Sequence, residues 1–330
     1  MTEPSIAVII PTKNRAGALR AVALPSLERS EFRDFACLVW DASEDDDSRK
    51  AAEDGGWSFE LHYEKAPRPG SSSQRNDAVL FVQKNWPETR WALFIDDDSE
   101  LSPDALEGVR DSFRDSEVWG VSLPFTHNPY APSRFRRLSL WACRRLLRVR
   151  GRGVVLPCLY FYLALPEERG TEVDWTRGGG MAFRMEVFTK LGVFFPEEFQ
   201  RFGGYAAYED QAFSFHLKHN LKRRIVNSLK GGYAHHHAPG GRTDTRHLFA
   251  ARWFNIGLFC EEVHGSRGFF RYHLARLSCK TFYLLYFTWH AIRGGGLDVF
   301  RGLRLGSREL RGEKREKTAG NLFKYGIRTE

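Results

Sequence analysis

With 330 residues, 42% of them hydrophobic and 27% charged, the chain is long enough to bury a sizeable core and is not of the disordered or fibrous class. A formal charge of +8 with 14% aromatic residues points toward a polyanionic partner, with nucleic acid, nucleotide phosphates and an anionic membrane face as the classes. The five cysteines (Cys37, Cys143, Cys158, Cys260 and Cys279) are widely spaced and form no C-x-x-C pair, which argues against a disulfide framework or a cysteine zinc site and for a reducing compartment.

From the N-terminus, the acidic Glu3 and the lack of a basic leader argue against a signal peptide. "IAVII" (Ile6 to Ile10) is a continuous apolar run stopped by Pro11 and reads as a buried strand. Ala16 to Glu28 carries Leu19, Val22 and Leu27 at helical spacing, with Pro25 expected to end or bend the helix. "FACLVWD" is a second strand ending at Asp41, and "SFELHYEK" alternates Phe59, Leu61 and Tyr63 as a third. "SSSQRNDAVLFVQKN" predicts a helix capped by serine, and "WALFI" a fourth strand. In "SPDALEGVRDSF", Ser102 is the expected N-cap and Pro103 the first helical residue, and "EVWGVSLPF" follows as a strand. Strands and helices alternating at these lengths predict an α/β fold with a mostly parallel, doubly wound sheet.

Residues 126 to 175 break that rhythm. Arg134 to Arg152 holds eight arginines and no acid, interleaved with Phe135, Leu138, Trp141, Leu146 and Val149, and reads as an inserted basic amphipathic helix. "TRGGGMAF" then predicts a glycine-rich turn and a strand over Met181 to Phe183, and "DQAFSFHLKHN" a helix with Glu209 and Asp210 at its start. "RRIVNS" reads as a strand and "GYAHHHAPGGR" as a loop. The region after residue 245 is helical, aromatic and arginine-rich, ending in a polar, mobile "SRELRGEKREKTAG". Its longest uncharged apolar run, Thr281 to Ile292, is about half of the roughly 20 residues that a membrane span needs.

The chemistry concentrates in "FIDDDSEL". Three adjacent carboxylates (Asp96, Asp97, Asp98) after a buried strand repel one another unless a cation compensates, and oxygen ligands suit Mg²⁺ or Mn²⁺. On an extended segment Asp96 and Asp98 point one way and Asp97 the other. In a doubly wound sheet the carboxyl ends of the strands form the ligand rim, so Thr12, Lys13, Asp41 and Asp96 to Asp98 should gather there. Among the three histidines, His235 and His237 share a face and His236 opposes it.

Four segments together resemble family 2 inverting glycosyltransferases of the GT-A fold. "VIIPTKNR" is similar to their first strand and turn, "WDAS" to the end of the second, "FIDDDSEL" to their D-x-D segment and "YEDQAF" to their E-D motif. They arrive in the family's order and cover about residues 5 to 245. The resemblance implies that Pro11, Thr12, Asn14, Arg15 and Asp41 hold the nucleotide, and that Arg75 and Asn76 lie near the donor's phosphates or base. It implies that Asp96 and Asp98 bind the metal, Asp98 the more directly, with Asp97 near the donor ribose or sugar. Asp210 matches the catalytic base and Glu209 its acceptor-orienting neighbour. A histidine after the E-D motif completes the metal site or contacts the diphosphate, with His237 the choice and His235 the alternative, and Arg242 a further phosphate contact. On the residues themselves, "RGGG" (Arg177 to Gly180), with Gly179 and Gly180, fits a loop where backbone must approach the donor sugar or acceptor closely.

The reading is therefore a metal-dependent inverting glycosyltransferase with Mn²⁺ or Mg²⁺. It takes a UDP- or dTDP-linked sugar and a glycan or lipid-linked acceptor, binds no nucleic acid, and works in the cytoplasm at the inner face of a bacterial membrane. Residues 1–245 form the catalytic unit and residues 246–330 a helical unit that associates with the anionic membrane or mediates oligomer formation. A nucleotidyltransferase is the first rival, but "PTKNR" lacks a glycine-rich triphosphate loop after the first strand. A non-catalytic nucleic-acid or membrane-binding protein is the second, and it leaves Asp96 to Asp98 and Asp210 unexplained.

Overall fold

The computed structural model describes residues 3–127, 168–202, 206–236, 244–264 and 269–316. The arginine run expected as an inserted helix, together with His237 and Arg242, lies outside the described residues.

Strand β1 (Ile6–Thr12) is buried along its length because helices cover both faces of its sheet. Its side chains alternate between two cores, Ala7 and Ile9 entering one and Ile6, Val8 and Ile10 the other. The helical stretch that follows does not stop at Pro25. It is α-helical over Ala16–Ala18, widens to a π turn over Leu19–Ala23, and resumes over Leu24–Glu28 with Pro25 in the first turn, where its missing N–H is tolerated. Next come β2 (Phe35–Asp41), α1 (Asp47–Glu53), β3 (Glu60–Lys65) and α2 (Ser71–Asn85). The N-cap of α2 is Gly70, at φ +132°, rather than a serine, and the Gln74 side chain accepts from the Gly70 N–H at 3.3 Å.

Strand β4 (Trp91–Phe94) leads into β5 (Ser99–Leu101), and α3 (Ala105–Ser112) follows. Asp104, not Ser102, is the N-cap of α3, since the Ser102 hydroxyl accepts from the Gly232 N–H at 2.9 Å and donates to Asp104 at 2.8 Å. The expected strand after α3 is two, β6 (Val118–Ser122) and β7 (Phe125–His127). Then come β8 (Met181–Arg184), α4 (Glu186–Thr189), α5 (Glu209–Phe215) with a π turn over His216–Asn220, β9 (Arg224–Asn227) and β10 (Tyr233–His235).

Seven strands form the main sheet in the order β3-β2-β1-β4-β8-β6-β9, parallel except for β8, which runs against both β4 and β6. A small second sheet, β5-β10-β7, stands at its rim. Chain order reverses between β1 and β4, which is where such sheets open a crevice beyond the strand ends. Phenylalanines fill one core, with Phe195 stacked on Phe213 at 4.2 Å and Phe94 edge-on to Phe195 at 5.2 Å. Much of the aromatic content is thus packing rather than binding surface.

Three helices close the chain: α6 (Thr245–His264), α7 (Phe269–His290) and α8 (Gly296–Glu316). Phe254 and Phe259 of α6 and Phe287 of α7 join the phenylalanine core. The polar segment expected to be mobile is helical through Glu316. Its helix is anchored by buried Val299 and Leu303 and by close approach to α6, where a Cβ on Gly306 would lie 2.6 Å from the Ala250 carbonyl oxygen. No described helix is long and apolar enough to cross a membrane.

Candidate active site

The ends of β1, β2 and β4 meet at the crevice. Gln74 of α2 donates to the carbonyls of Thr12 (2.9 Å) and Trp40 (3.0 Å) and so ties the first two together. After β4 the chain turns through the acidic triplet, with the Ser99 N–H donating to the Asp96 carbonyl at 3.0 Å. The alternation expected of an extended segment survives in this turn. Asp97 points inward, accepting from the Thr12 hydroxyl at 2.7 Å and pairing with Arg15 at 2.7 Å. Burial pushes the Asp97 carboxyl up to about 7 against the pull of Arg15 and Thr12. Asp96 and Asp98 share the other side. Side-chain exposure is 34% for Asp96 against 2% for Asp98, so Asp96 faces the open cleft.

Pairing of β5 with β10 sets Ser99 opposite His235, and this register carries the imidazole to the acids. His235 Nε2 lies 2.8 Å from Asp98 Oδ1 and 3.9 Å from Asp96 Oδ2. Burial works to lower the His235 pKa, but the hydrogen bond to Asp98 and the charges of Asp96 and Asp98 outweigh it and raise it. His236 points the opposite way, to Glu100 at 2.7 Å. Arg15 also pairs with Asp98, so a guanidinium and an imidazole flank that carboxylate. One ligand atom each from Asp96, Asp98 and His235 lie within 4.8 Å of one another. Two carboxylates and an imidazole are a donor set that suits Mn²⁺, and Mg²⁺ with less nitrogen preference.

Across the cleft, Glu209 and Asp210 open α5 after Tyr208, whose left-handed φ of +72° turns the chain sharply there. Arg75 of α2 is buried between the two acidic segments, 2.8 Å from Glu209 and 3.5 Å from Asp96. Asp210 Oδ2 accepts from the Gly178 N–H at 2.7 Å and Oδ1 from the Gln211 N–H at 2.9 Å. Burial and the adjacent Glu209 push the Asp210 carboxyl up to about 7, against Arg75 and those two N–H groups. Replacing Arg75 with Met would leave Glu209 buried and unpaired beside Asp96, and is expected to cost about 3–5 kcal/mol of stability, read as a lower denaturation midpoint.

The glycine turn joins the two sides. A Cβ on Gly178 would sit 2.6 Å from Arg75 and 3.6 Å from Asp210, and one on Gly179 would sit 3.3 Å from Asp96. Gly180 backs onto the Tyr233 ring, where a Cβ would lie 2.6 Å away. Tyr233 in turn packs on Phe125 with ring centroids 4.6 Å apart, and the Arg177 guanidinium lies 4.4 Å from that Phe125 centroid. Gly178 lies in the expected glycine loop but was not singled out as a site residue, and Tyr233 was not among the expected site residues. The triple glycine was the signal for the first, and the two-residue spacing of Tyr233 from His235 for the second.

Other expected residues lie around this cluster. Asp41 is fully buried, accepting from the Tyr63 hydroxyl at 2.7 Å, the Ser43 N–H at 2.8 Å and the Ser43 hydroxyl. Asn14, at φ +54°, ties to the same loop by donating to the Ser43 hydroxyl at 2.7 Å, and Pro11 pairs in register with Trp40. Asn76 is not brought to the cleft. Its amide donates to the Phe195 carbonyl and accepts from the Phe195 N–H, both at 2.9 Å, which makes it a backbone brace.

A family model described as glycosyl transferase family 2 matches residues 7–191. No curated protein matches the chain in sequence. Among solved structures, TarS 1-349 from S. aureus in complex with UDP-GlcNAc aligns with a TM-score of 0.55 at 19% identity, over 91% of this chain and 76% of that one. The mannosyltransferase PcManGT from Pyrobaculum calidifontis, in complex with GDP-Man and Mn²⁺, aligns with a TM-score of 0.54 at 14% identity, over 95% of this chain and 89% of that one. At these identities the likeness is one of fold.

Proposed function

Since the chain belongs to glycosyl transferase family 2, we propose that it moves a sugar from a nucleoside diphosphate donor to an acceptor hydroxyl by a single inverting displacement, with Asp210 as general base. The observation that carries this reading is the pairing of two acidic centres across one glycine turn, Asp96, Asp98 and His235 on one side and Asp210 on the other, linked through Arg75.

In the displacement, the acceptor oxygen forms a bond to the anomeric carbon as the bond from that carbon to the diphosphate oxygen breaks. The acceptor's proton passes to Asp210. Both Asp210 oxygens accept from backbone N–H groups, which fixes the carboxylate's direction, and a base whose pKa lies near 7 is suited to taking a proton at neutral pH. Arg75 stays protonated between Glu209 and Asp96, and its 2.8 Å pairing with Glu209 positions that carboxylate beside the base. Asp96, Asp98 and His235 would hold the divalent ion, which when bound offsets the charge of the departing diphosphate. The Thr12 hydroxyl and Arg15 hold Asp97, and Arg15 also holds Asp98. The neighbours' bound UDP-GlcNAc and GDP-Man support a nucleotide-sugar donor, and PcManGT's Mn²⁺ supports the metal. The test is turnover of a panel of nucleoside diphosphate sugars on a soluble acceptor analogue, with the anomeric configuration of the product read by NMR. Inversion is expected, and retention would remove the single-displacement mechanism.

The acceptor side of the proposal rests on α7. Its exposed Leu274, Leu277, Leu284 and Leu285, with exposed Ile292 in the turn just past its end, lie away from the stripe that it buries, so the helix is apolar on both faces. Arg293 stacks over exposed Trp289 at 4.4 Å, and the chain's charge is +8. An apolar face on a cationic protein fits an anionic lipid surface, where residues 1–245 would present the catalytic cleft to a lipid-linked acceptor and residues 246–330 would supply the anchor. Binding to vesicles containing anionic lipid is expected to fall about tenfold or more in Leu285→Glu/Ile292→Glu, with turnover on a soluble acceptor unchanged. A loss of dimer instead, seen by sedimentation, would make the face a contact between copies.

A further inference from the structure

A second cluster of metal-ligating side chains stands apart from the cleft, and it is built on soft donors. Cys260 and His264 are four residues apart on α6 and so share one face of that helix. Cys279 comes from α7, across the helix pair. The sulfurs and one imidazole nitrogen lie within 4.8 Å of one another, and all three residues are buried, His264 completely. We propose that Cys260, His264 and Cys279 bind a zinc ion that fastens the end of α6 to α7.

Zinc bound at about 2.0–2.3 Å from nitrogen and sulfur sets tetrahedral ligands about 3.3–3.8 Å apart, so a closure of about 1 Å would seat the ion. Two thiolates and an imidazole select zinc over Mn²⁺ or Mg²⁺, whereas the Asp96, Asp98 and His235 set is oxygen-rich, which keeps the two sites chemically distinct. Among the described residues three ligands are present, which leaves one tetrahedral position to a further donor. The absence of a C-x-x-C pair does not bear on this arrangement, because the fold and not local spacing brings Cys279 to Cys260.

The helix pair has a use for such a fastening. Among the described residues, α7 buries only Cys279, Tyr283 and Phe287, a single stripe at every fourth position, while large apolar side chains on its other face are exposed. Tyr283 and Phe287 hold the C-terminal half of that stripe, and Cys279 marks the end at which the ion would act. Metal binding requires both cysteines as thiolates and so releases protons on loading, which makes the fastening weaker in acid.

The test uses the full chain purified without chelator. About one zinc per chain is expected by elemental analysis. Exchange with Co²⁺ should give a thiolate-to-cobalt charge-transfer band, which the sulfur-free cleft site has no means of producing. A strong chelator should lower Tm by about 5 °C or more, with recovery on adding zinc but not manganese. Cys279→Ser should lose the band and the zinc, and the chelation arm on the unmodified chain keeps the outcome readable if that variant misfolds. A chain that purifies without zinc and gives no charge-transfer band with Co²⁺ overturns the proposal, as does a Cys260–Cys279 disulfide in the freshly purified protein.

Discussion

Asp210→Asn is expected to lower turnover by about 10²–10⁴-fold while leaving the affinity for a nucleoside diphosphate within about threefold, because only the proton acceptor is removed. The same substitution should cost less Tm at pH 8 than at pH 5, because it gives up one acceptor for a backbone N–H at either pH but relieves the buried charge only at the higher one. Burial and Glu209 lift the Asp210 carboxyl from 3.8 to about 7, so the fold favours its neutral form. The stability that this group contributes is present below about pH 4 and is lost as pH rises through about 7, where the folded protein must carry the charge. Asparagine never carries it. Turnover runs in the opposite sense, since the base must be ionised to act. The unmodified enzyme should lose about tenfold in kcat/KM per pH unit below 7 and reach a plateau above about 8. A pH-independent rate across that range, or full turnover by the asparagine variant, would take the base role from Asp210.

Asp98→Asn should separate the metal from the nucleotide. Outer partners of metal ligands already cost about 10–100-fold in affinity when changed, so loss of a direct ligand should cost at least that in Mn²⁺-dependent binding of nucleoside diphosphate. Titration calorimetry with and without Mn²⁺ measures it. Arg15 retains its partner Asp97 in this variant, which keeps the fold from being left with a lone buried charge. Equal affinity with and without Mn²⁺ in the unmodified protein would rule out a metal-bridged diphosphate.

The first half of the fold was legible because its strands are long and buried on both sides. Ile6 to Ile10 and Phe35 to Val39 are unbroken apolar runs, and such runs have few other places to go. The acidic triplet was legible for the opposite reason, as a charge pattern that packing alone does not explain. The small sheet was not. Its strands β5, β7 and β10 are three residues each, too short to show a period, and "GYAHHHAPGGR" therefore read as loop. That hid the role of Tyr233 and left the choice among the histidines open; His235 lies against Asp98. Asn76 shows a different limit. Its neighbour Arg75 turns into the cleft while Asn76 braces the Phe195 backbone, a division set by which side of α2 each occupies. The tail of α8 looked mobile because its sequence is polar, yet Val299, Leu303 and Gly306 fit it against α6.

The ladder between β5 and β10 also decides which imidazole reaches the acids. If β10 slid by one residue, His236 would take the place of His235 opposite Ser99, and the cleft would still hold a histidine. The repeat of three identical side chains thus carries no information about alignment. Tyr233 supplies it, since the same slide would put Ala234 against Gly179 and Gly180 and leave a ring-sized void beneath the glycine turn. A bulky aromatic buried beneath the glycine turn would then be what keeps the histidine run in step.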